Sequence, residues 1–379
     1  MSSHSSTWLT PPASRVSQLS EAAWGRDGII RMVGVSPAFA EAQVRLGRFA
    51  RSERPVLIEG ESGVGKELFA RACYLLSPRT GRPFLSVNCA QFVDENMLIS
   101  ELFGHKKGAF TGASAGRKGL FEEADGGVLF LDEVGELTPR AQAALLRAIG
   151  VGEVVRLGES QSRRVDVRVV AATNCDLRAM VTNGAFREDL YYRLAPLRLR
   201  VPALRERGED WRLIAEAYLA QLCRQTGVTR SLGESAVRTL ATYPWPGNVR
   251  EVRGLLDMAN CLCTGESIEA SDIEPELRSH TGELDDDALA LAAGGTGDPL
   301  TLMSRGEASF WSVVRDPYLD REMNRSEVRQ IVERGLRESG GSYKRALRAF
   351  GIPNSEYLKF MDFLRHHRLK PDRYRRDTP

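Results

Sequence analysis

The sequence predicts an α/β fold in which a five-stranded parallel sheet is flanked by helices, followed by an all-α subdomain and a small all-α C-terminal domain. Three observations predict it. Short β-branched runs alternate with amphipathic stretches up to about residue 203, the pattern of a parallel sheet whose crossover helices bury both faces. Beyond that point only helical periodicity continues. A glycine-rich phosphate-loop pattern joins the first apolar run to the helix after it.

Taken in order, residues 1–25 are rich in Ser and Pro and are read as a disordered tail. Residues 26–203 hold the α/β subdomain. Its strands are PVLIEG, PFLSVNC, GVLFLDE, VDVRVVAATN and LAPLRLRVP, with helices between them such as Lys66 to Leu76 and Pro139 to Ile149. Residues 204–278 read as a helical subdomain. Residues 279–322 open with five acidic residues and no Lys or Arg before Pro299, and are read as an acidic, Gly-rich linker plus an uninterpreted stretch, Phe310 to Met323. Residues 323–379 return to helical periodicity.

Composition narrows the function classes. Of 379 residues, 42% are hydrophobic and 27% charged, as in ordinary globular proteins. No run approaches the ~18 apolar residues of a membrane span, and the N-terminus lacks the order of a secretory signal, so a cytoplasmic protein is expected. The six cysteines form no CxxC pair and read as reduced thiols. Residues 340–379 carry ten Lys or Arg against four Asp or Glu, a net of +6 where the whole chain carries +2. A basic end of this kind suits a polyanion partner or a merely solvated basic face.

The stretch GESGVGKE places Gly60, Glu61, Ser62, Gly63, Val64, Gly65, Lys66 and Glu67 between a strand and a helix. Glycines let backbone N–H groups close round phosphate oxygens, the helix N-terminus adds its dipole, and Lys66 reaches the terminal phosphates. Glu67 stands where the general motif has a Ser or Thr for Mg²⁺. Further on, GGVLFLDE delivers Asp132 and Glu133 at a strand end; Asp132 suits the metal shell and Glu133 suits polarising a water. Taken alone, such a pair is more often a cap or a turn. AATN puts Thr173 and Asn174 where a side chain senses the γ-phosphate or where a strand simply turns. In FREDLYYRL, Arg187 and Arg193 suit either trans-acting fingers at a neighbour's nucleotide or surface ion pairs.

In this order the motifs GESGVGKE, GAFTGA, GGVLFLDEVGEL, AATN, FREDLYYRL and YPWPGNVREV, spread over Val33 to Ile273, resemble those of the AAA+ activators of sigma-54 RNA polymerase, the bacterial enhancer-binding proteins. GAFTGA is the specific element. The resemblance implies ATP and Mg²⁺ as cofactors, with Lys66 on phosphate and Asp132 and Glu133 on metal and water. It further implies that Asn88 restrains Glu133, that Arg187 and Arg193 are the fingers, and that Arg250 is the lid arginine on the nucleotide. Glu67 is usual in the family. Fingers imply a homo-oligomeric ring, expected to be a hexamer. Gly108, Ala109, Phe110, Thr111, Gly112 and Ala113 are expected to contact sigma-54 from an exposed loop, the alternative for Phe110 being core packing. Twenty-five residues before the ATPase leave no room for a receiver or sensor domain, so control by a separate protein, by the linker or C-terminal region, or by expression level is expected.

The segment from Glu327 to Arg368 is similar to the family's Fis-type helix-turn-helix, with Tyr343 to Phe350 as its first element and Asn354 to His367 as the recognition helix. Lys344, Arg345, Arg348 and Lys359, with Arg365 and Arg368, are the expected phosphate contacts on enhancer DNA. The recognition stretch is unusually apolar, so a protein-binding module is the alternative. The function expected is ATP-driven remodelling of sigma-54 holoenzyme by a DNA-bound activator; the competing reading is an AAA+ chaperone-like remodelling ATPase.

Overall fold

The computed structural model describes residues 8–92, 94–110, 115–281, 299–304, 308–319, 323, 325–367 and 369. The chain divides into two compact units, Met1–Glu276 and Leu277–Pro379.

All five predicted strands form one sheet in the first unit: β1 (Val56–Glu59), β2 (Phe84–Asn88), β3 (Val128–Asp132), β4 (Arg168–Thr173) and β5 (Leu197–Arg200). Their order is β2-β3-β4-β1-β5 and every pairing is parallel. Alternate side chains of the central strands enter separate cores. Leu57, Leu129, Leu131, Val169 and Ala171 face one, while Val56, Ile58, Val128, Phe130, Val170 and Ala172 face the other. Burial on both faces explains why these strands read as continuous apolar runs.

The second of these cores is covered by α1 (Pro11–Trp24), α2 (Pro37–Ala50) and α3 (Lys66–Leu75); the first is covered by α4 (Glu95–Phe103), α5 (Pro139–Val151) and α6 (Glu188–Leu194). Helix α1 corrects the expectation of a disordered N-terminus. Thr10 caps it by accepting from Ala13 N at 3.3 Å, and Pro11 occupies the first turn, where its missing N–H costs nothing. Ala13 and Val16 are buried, and Trp24 stacks on Tyr74. Two of the serines that suggested disorder serve as hydrogen-bonding groups: Ser17 Oγ donates to Ile30 O at 2.6 Å and Ser20 Oγ accepts from Ile30 N at 2.9 Å. Residues 1–7 lie outside the described residues.

The helical subdomain comprises α7 (Asp210–Thr226), α8 (Glu234–Thr242), α9 (Asn248–Leu262) and α10 (Ala270–Thr281). The second unit has its own core and begins to fold earlier than its helical periodicity suggested. A helix at Pro299–Ser304, a π-helical turn at Trp311–Arg315 and a short α-helix at Asp316–Leu319 precede Arg325–Glu338, Tyr343–Ala349 and Tyr357–His366. Phe310, in the stretch left uninterpreted, is fully buried, its ring centroid 5.0 Å from that of Phe360 and 5.6 Å from that of Phe350. An aromatic cluster of this size makes the segment part of the module. The acidic run 282–298 lies outside the described residues.

All six cysteines are free; Cys73, Cys89 and Cys263 are buried, whereas Cys261 is exposed. Among the described residues no helix is long and apolar enough to cross a membrane.

Candidate functional site: a phosphate-loop cleft under a helical lid

Strand β1 ends at Glu59, and the loop that follows turns tightly into α3. Gly60 N donates to Thr173 O of β4 at 3.2 Å, tying the loop to the sheet. Two glycines are required by geometry. Gly63 has φ +78°, and a Cβ there would sit 2.2 Å from Gly247 O; Gly65 has φ +98° at the start of α3. Val64 is buried beneath the loop, and Glu67 points outward to pair with Arg71 at 2.8 Å.

Lys66 is only 7% exposed. Its Nζ donates to Gly60 O at 3.0 Å and Glu61 O at 3.3 Å and lies 3.4 Å from Glu133 Oε1. Strand β3 carries Asp132 at its end, and the backbone then turns into the left-handed region at Glu133, φ +53°. A non-glycine residue there is uncommon, and the turn aims the carboxylate back across the strand end. Glu133 Oε2 accepts from Asn174 N at 3.1 Å, so the carboxylate is held between Lys66 and the end of β4. Burial first, and the Glu133 charge second, push the Asp132 carboxyl above its ordinary value. Two adjacent carboxylates with one lysine beside them suit a divalent cation. Mg²⁺ commonly takes one or two protein carboxylates and fills its shell with phosphate oxygens and water, and Asp132 is the residue that would hold it.

Asn88 lies opposite Asp132 in the β2–β3 register. Its Oδ1 accepts from Ala90 N at 2.9 Å, and the bonds of Glu133 run to Lys66 and Asn174. The restraint of Glu133 by Asn88 is therefore absent from this conformation of the described residues. Thr173 is buried and its Oγ1 accepts from Cys175 N at 3.0 Å; the Asn174 side chain accepts from Cys175 Sγ at 3.2 Å. Arg250, on α9, donates to Ser62 Oγ at 2.8 Å and lines the cleft with Lys66, Asp132 and Glu133. The cleft encloses about 550 Å³. Arg187 and Arg193 are exposed at opposite ends of α6 and are not among the residues lining it; Arg187 pairs with Asp189 at 2.8 Å.

Sequence reasoning missed Asn248. It is fully buried with φ +53°, its Oδ1 accepts from Leu204 N at 2.7 Å, and its Nδ2 donates to Ser62 O at 3.0 Å and Glu61 Oε2 at 3.1 Å. One side chain thus joins the lid, the chain leading into it and the phosphate loop. Glu61 is also held by Arg205, which, followed by Asn248, depresses its carboxyl to about 2. This bridge is in place above the ordinary carboxylate pKa and is lost only as pH falls toward 2. The available signal was the Pro-Gly-Asn turn in WPGN, where Asn is a residue that tolerates positive φ. Asn248→Ala is expected to lower unfolding stability by about 2–3 kcal/mol, because it strands the buried Leu204 N–H and strains a left-handed position. Chemical denaturation with a matched m-value is the check.

The cleft continues into a second chamber of about 230 Å³, mostly apolar, between the loop and the lid. The two share Gly65, Leu68, Tyr218, Val249 and Arg253. Its walls include Arg207, which with Asp210 forms a fully buried ion pair at 3.1 Å, and Asp210 in turn accepts from Val35 N and Ser36 N.

The GHKKGAFTGASAG segment leaves the same subdomain as a two-stranded ribbon, Gly104–His105 against Arg117–Lys118. His105 is buried at its root, with Nδ1 2.7 Å from Ser100 Oγ and Nε2 2.8 Å from Ala115 O. Gly108 has φ +79°, and Ala109 packs against Gly158. Phe110, expected to be exposed, is half-buried with its ring edge-on to His105 at 5.1 Å; folding back on the ribbon root removes apolar surface from water. Thr111, Gly112 and Ala113 lie outside the described residues.

In the second unit Lys344, Arg345 and Arg348 are exposed on one short helix. Lys359 is not a bare cation: its Nζ lies 4.5 Å over the Trp311 ring and 3.8 Å from Glu356. The stretch expected to be the recognition helix begins as a 3₁₀ turn, Asn354–Glu356, and only then becomes helical. Its apolar residues divide: Phe360, Met361 and Leu364 are core, while Leu358 is 74% exposed. Arg365 pairs with Asp362 at 3.3 Å, and Arg368 lies outside the described residues.

Two family models match the chain: a Sigma-54 interaction domain over residues 32–200 and an AAA+ ATPase lid domain over residues 205–289. The transcriptional regulatory protein ZraR of Salmonella typhimurium is 40% identical over 86% of this chain and 67% of its own length. The chain belongs to the family of sigma-54-dependent transcriptional activators. Another of these activators, the Nif-specific regulatory protein of Azotobacter vinelandii, is 47% identical over 71% of this chain and 50% of its own length. The chain spans about half to two thirds of the length of these curated relatives. NtrX from Brucella abortus, solved with ADP and also with ATP, aligns at TM-scores of 0.61 and 0.60 with 28% identity; the ADP complex covers 89% of this chain and 70% of that one. The sheet order and helical lid of this chain are therefore those of an AAA+ P-loop fold.

Proposed function

We propose that this chain is a DNA-binding transcription activator that hydrolyses ATP, working as a cytoplasmic ring oligomer of six subunits, to remodel sigma-54 RNA polymerase holoenzyme and open promoters. The observation that carries this reading is the convergence of Lys66, Asp132 and Glu133 in one cleft of the subdomain that bears the GAFTGA ribbon. The loop N–H groups and Lys66 bind phosphate oxygens, and nucleotide replaces the carbonyl and carboxylate partners that Lys66 holds here. Asp132 would hold Mg²⁺, which would supply neutralising charge to the phosphates. Glu133, with one oxygen fixed by Asn174 N, polarises the attacking water and accepts its proton. Arg250 reaches the site from the lid. Arg187 and Arg193, exposed and outside the cleft lining of their own chain, act on a neighbouring subunit's nucleotide.

The test is open-complex formation on a sigma-54 promoter by the full chain with ATP, detected as permanganate-reactive bases. ATP-dependent opening supports the reading. ATP turnover that remodels unrelated proteins but never opens promoters supports the chaperone-like alternative. DNA binding is tested separately: replacing both Arg345 and Arg348 with Ala is expected to reduce the slope of log affinity against log salt by about 2, roughly one per phosphate contact. An unchanged slope removes that helix from the DNA interface.

A further inference from the structure

The apolar chamber beside the phosphate loop has a wall contributed by the extreme N-terminal described residues. Trp8 and Leu9 line it together with Tyr218 and Val249 of the lid and with Val64 and Leu68. This wall is anchored on three sides. Gly34 N donates to Trp8 O at 2.9 Å, and Leu9 forms a parallel bridge with Gly34. Thr10 then caps α1 while its hydroxyl bonds to Gln43, buried on α2. Helix α1 is itself pinned through Ser17, Ser20 and the Trp24–Tyr74 stack.

A phosphate site opening into an apolar chamber with an aromatic wall has the chemistry of a nucleotide: charged at one end, a flat heterocycle at the other. We propose that the N-terminal segment is a working part of the nucleotide site, with Trp8 packing against the purine base and α1 holding Trp8 in place. This rests on the proposed nucleotide-binding reading of the cleft. The consequence is that base recognition in this chain depends on residues that precede the ATPase core in sequence. Among the described residues Trp8 is not in the lining of the cleft that holds Lys66, Asp132 and Glu133, so its contribution belongs to the base and not to the triphosphate.

Calorimetric titration of the full chain with ATP, ADP and inorganic tripolyphosphate distinguishes the outcomes. Trp8→Ala is expected to weaken ATP and ADP binding by ~10-fold, the scale of one lost aromatic–base stack, while tripolyphosphate binding and the melting temperature without nucleotide stay unchanged. Trp8→Phe, which keeps a flat ring, is expected to recover most of the loss. ATP affinity in Trp8→Ala within about twofold of wild type, or an equal loss for ATP and tripolyphosphate, overturns the proposal while leaving the nucleotide reading intact. Wild-type protein that binds tripolyphosphate and ATP equally well overturns base recognition by the chamber; wild-type protein that binds neither brings down the nucleotide reading with it.

Discussion

Glu133→Gln is expected to bind ATP at least as tightly as the parent chain and to hydrolyse it at least ~10²-fold more slowly. Two features of the site lead to that split. Glutamine nearly preserves shape and can still accept from Asn174 N through its carbonyl, so the loop and strand ends keep their positions. It cannot take a proton from water, and it removes the negative charge 3.4 Å from Lys66 Nζ. Lys66 then meets phosphate with one competitor fewer. Nucleotide affinity and steady-state phosphate release measured on the same preparation are the check. Retained turnover within about twofold, with affinity unchanged, would move the water-activating role to another residue.

Phe110→Ala is expected to abolish promoter opening while leaving ATP hydrolysis nearly intact. The ring is half-buried, and its described ring contact is with His105 at the ribbon root; neither residue lines the phosphate cleft. Truncating this half-buried side chain is expected to cost about 1 kcal/mol. What is lost is an apolar group able to exchange His105 for a surface on sigma-54, and with it the coupling of the nucleotide cycle to the polymerase. Sigma-54 binding in the presence of an ADP–metal fluoride complex, run beside permanganate footprinting, reads that coupling directly. Thr111→Ala serves as the companion variant. Either variant opening promoters at the parent rate would remove the loop from the sigma-54 contact, and unfolding of Phe110→Ala would return its ring to a structural role.

The parts of the fold and site legible in the sequence are those written by local rules. A parallel strand buried on both faces must be apolar throughout, so VLI of β1 and VLFL of β3 are visible without a structure. The phosphate loop is visible because its glycines sit at positive φ or against neighbouring backbone, where a side chain has no room. Asp132 and Glu133 are visible because a strand end delivers them. Local rules also misled. Ser and Pro near the N-terminus suggested disorder, yet Thr10 and Pro11 are a cap and a first turn, and Ser17 and Ser20 of α1 are satisfied by Ile30, ten or more residues away.

The sequence by itself determined the strands, the phosphate loop, the acidic strand end and the GAFTGA segment, because each depends on residue type at fixed short spacing. Tertiary structure alone decided what lies across the cleft from them. It decided that Asn248 staples the lid to the loop across 187 residues to Glu61, that Glu133 rests against Lys66 and Asn174 N while Asn88 caps its own turn, and that Trp8 lines the apolar chamber. It also decided that Phe310 completes the aromatic core of the C-terminal unit. Such contacts join residues with no periodic relation along the chain. A buried polar or aromatic side chain takes its partner from whatever the packing brings within reach, and that choice becomes visible only once the sheet, the lid and the flanking helices occupy the same space.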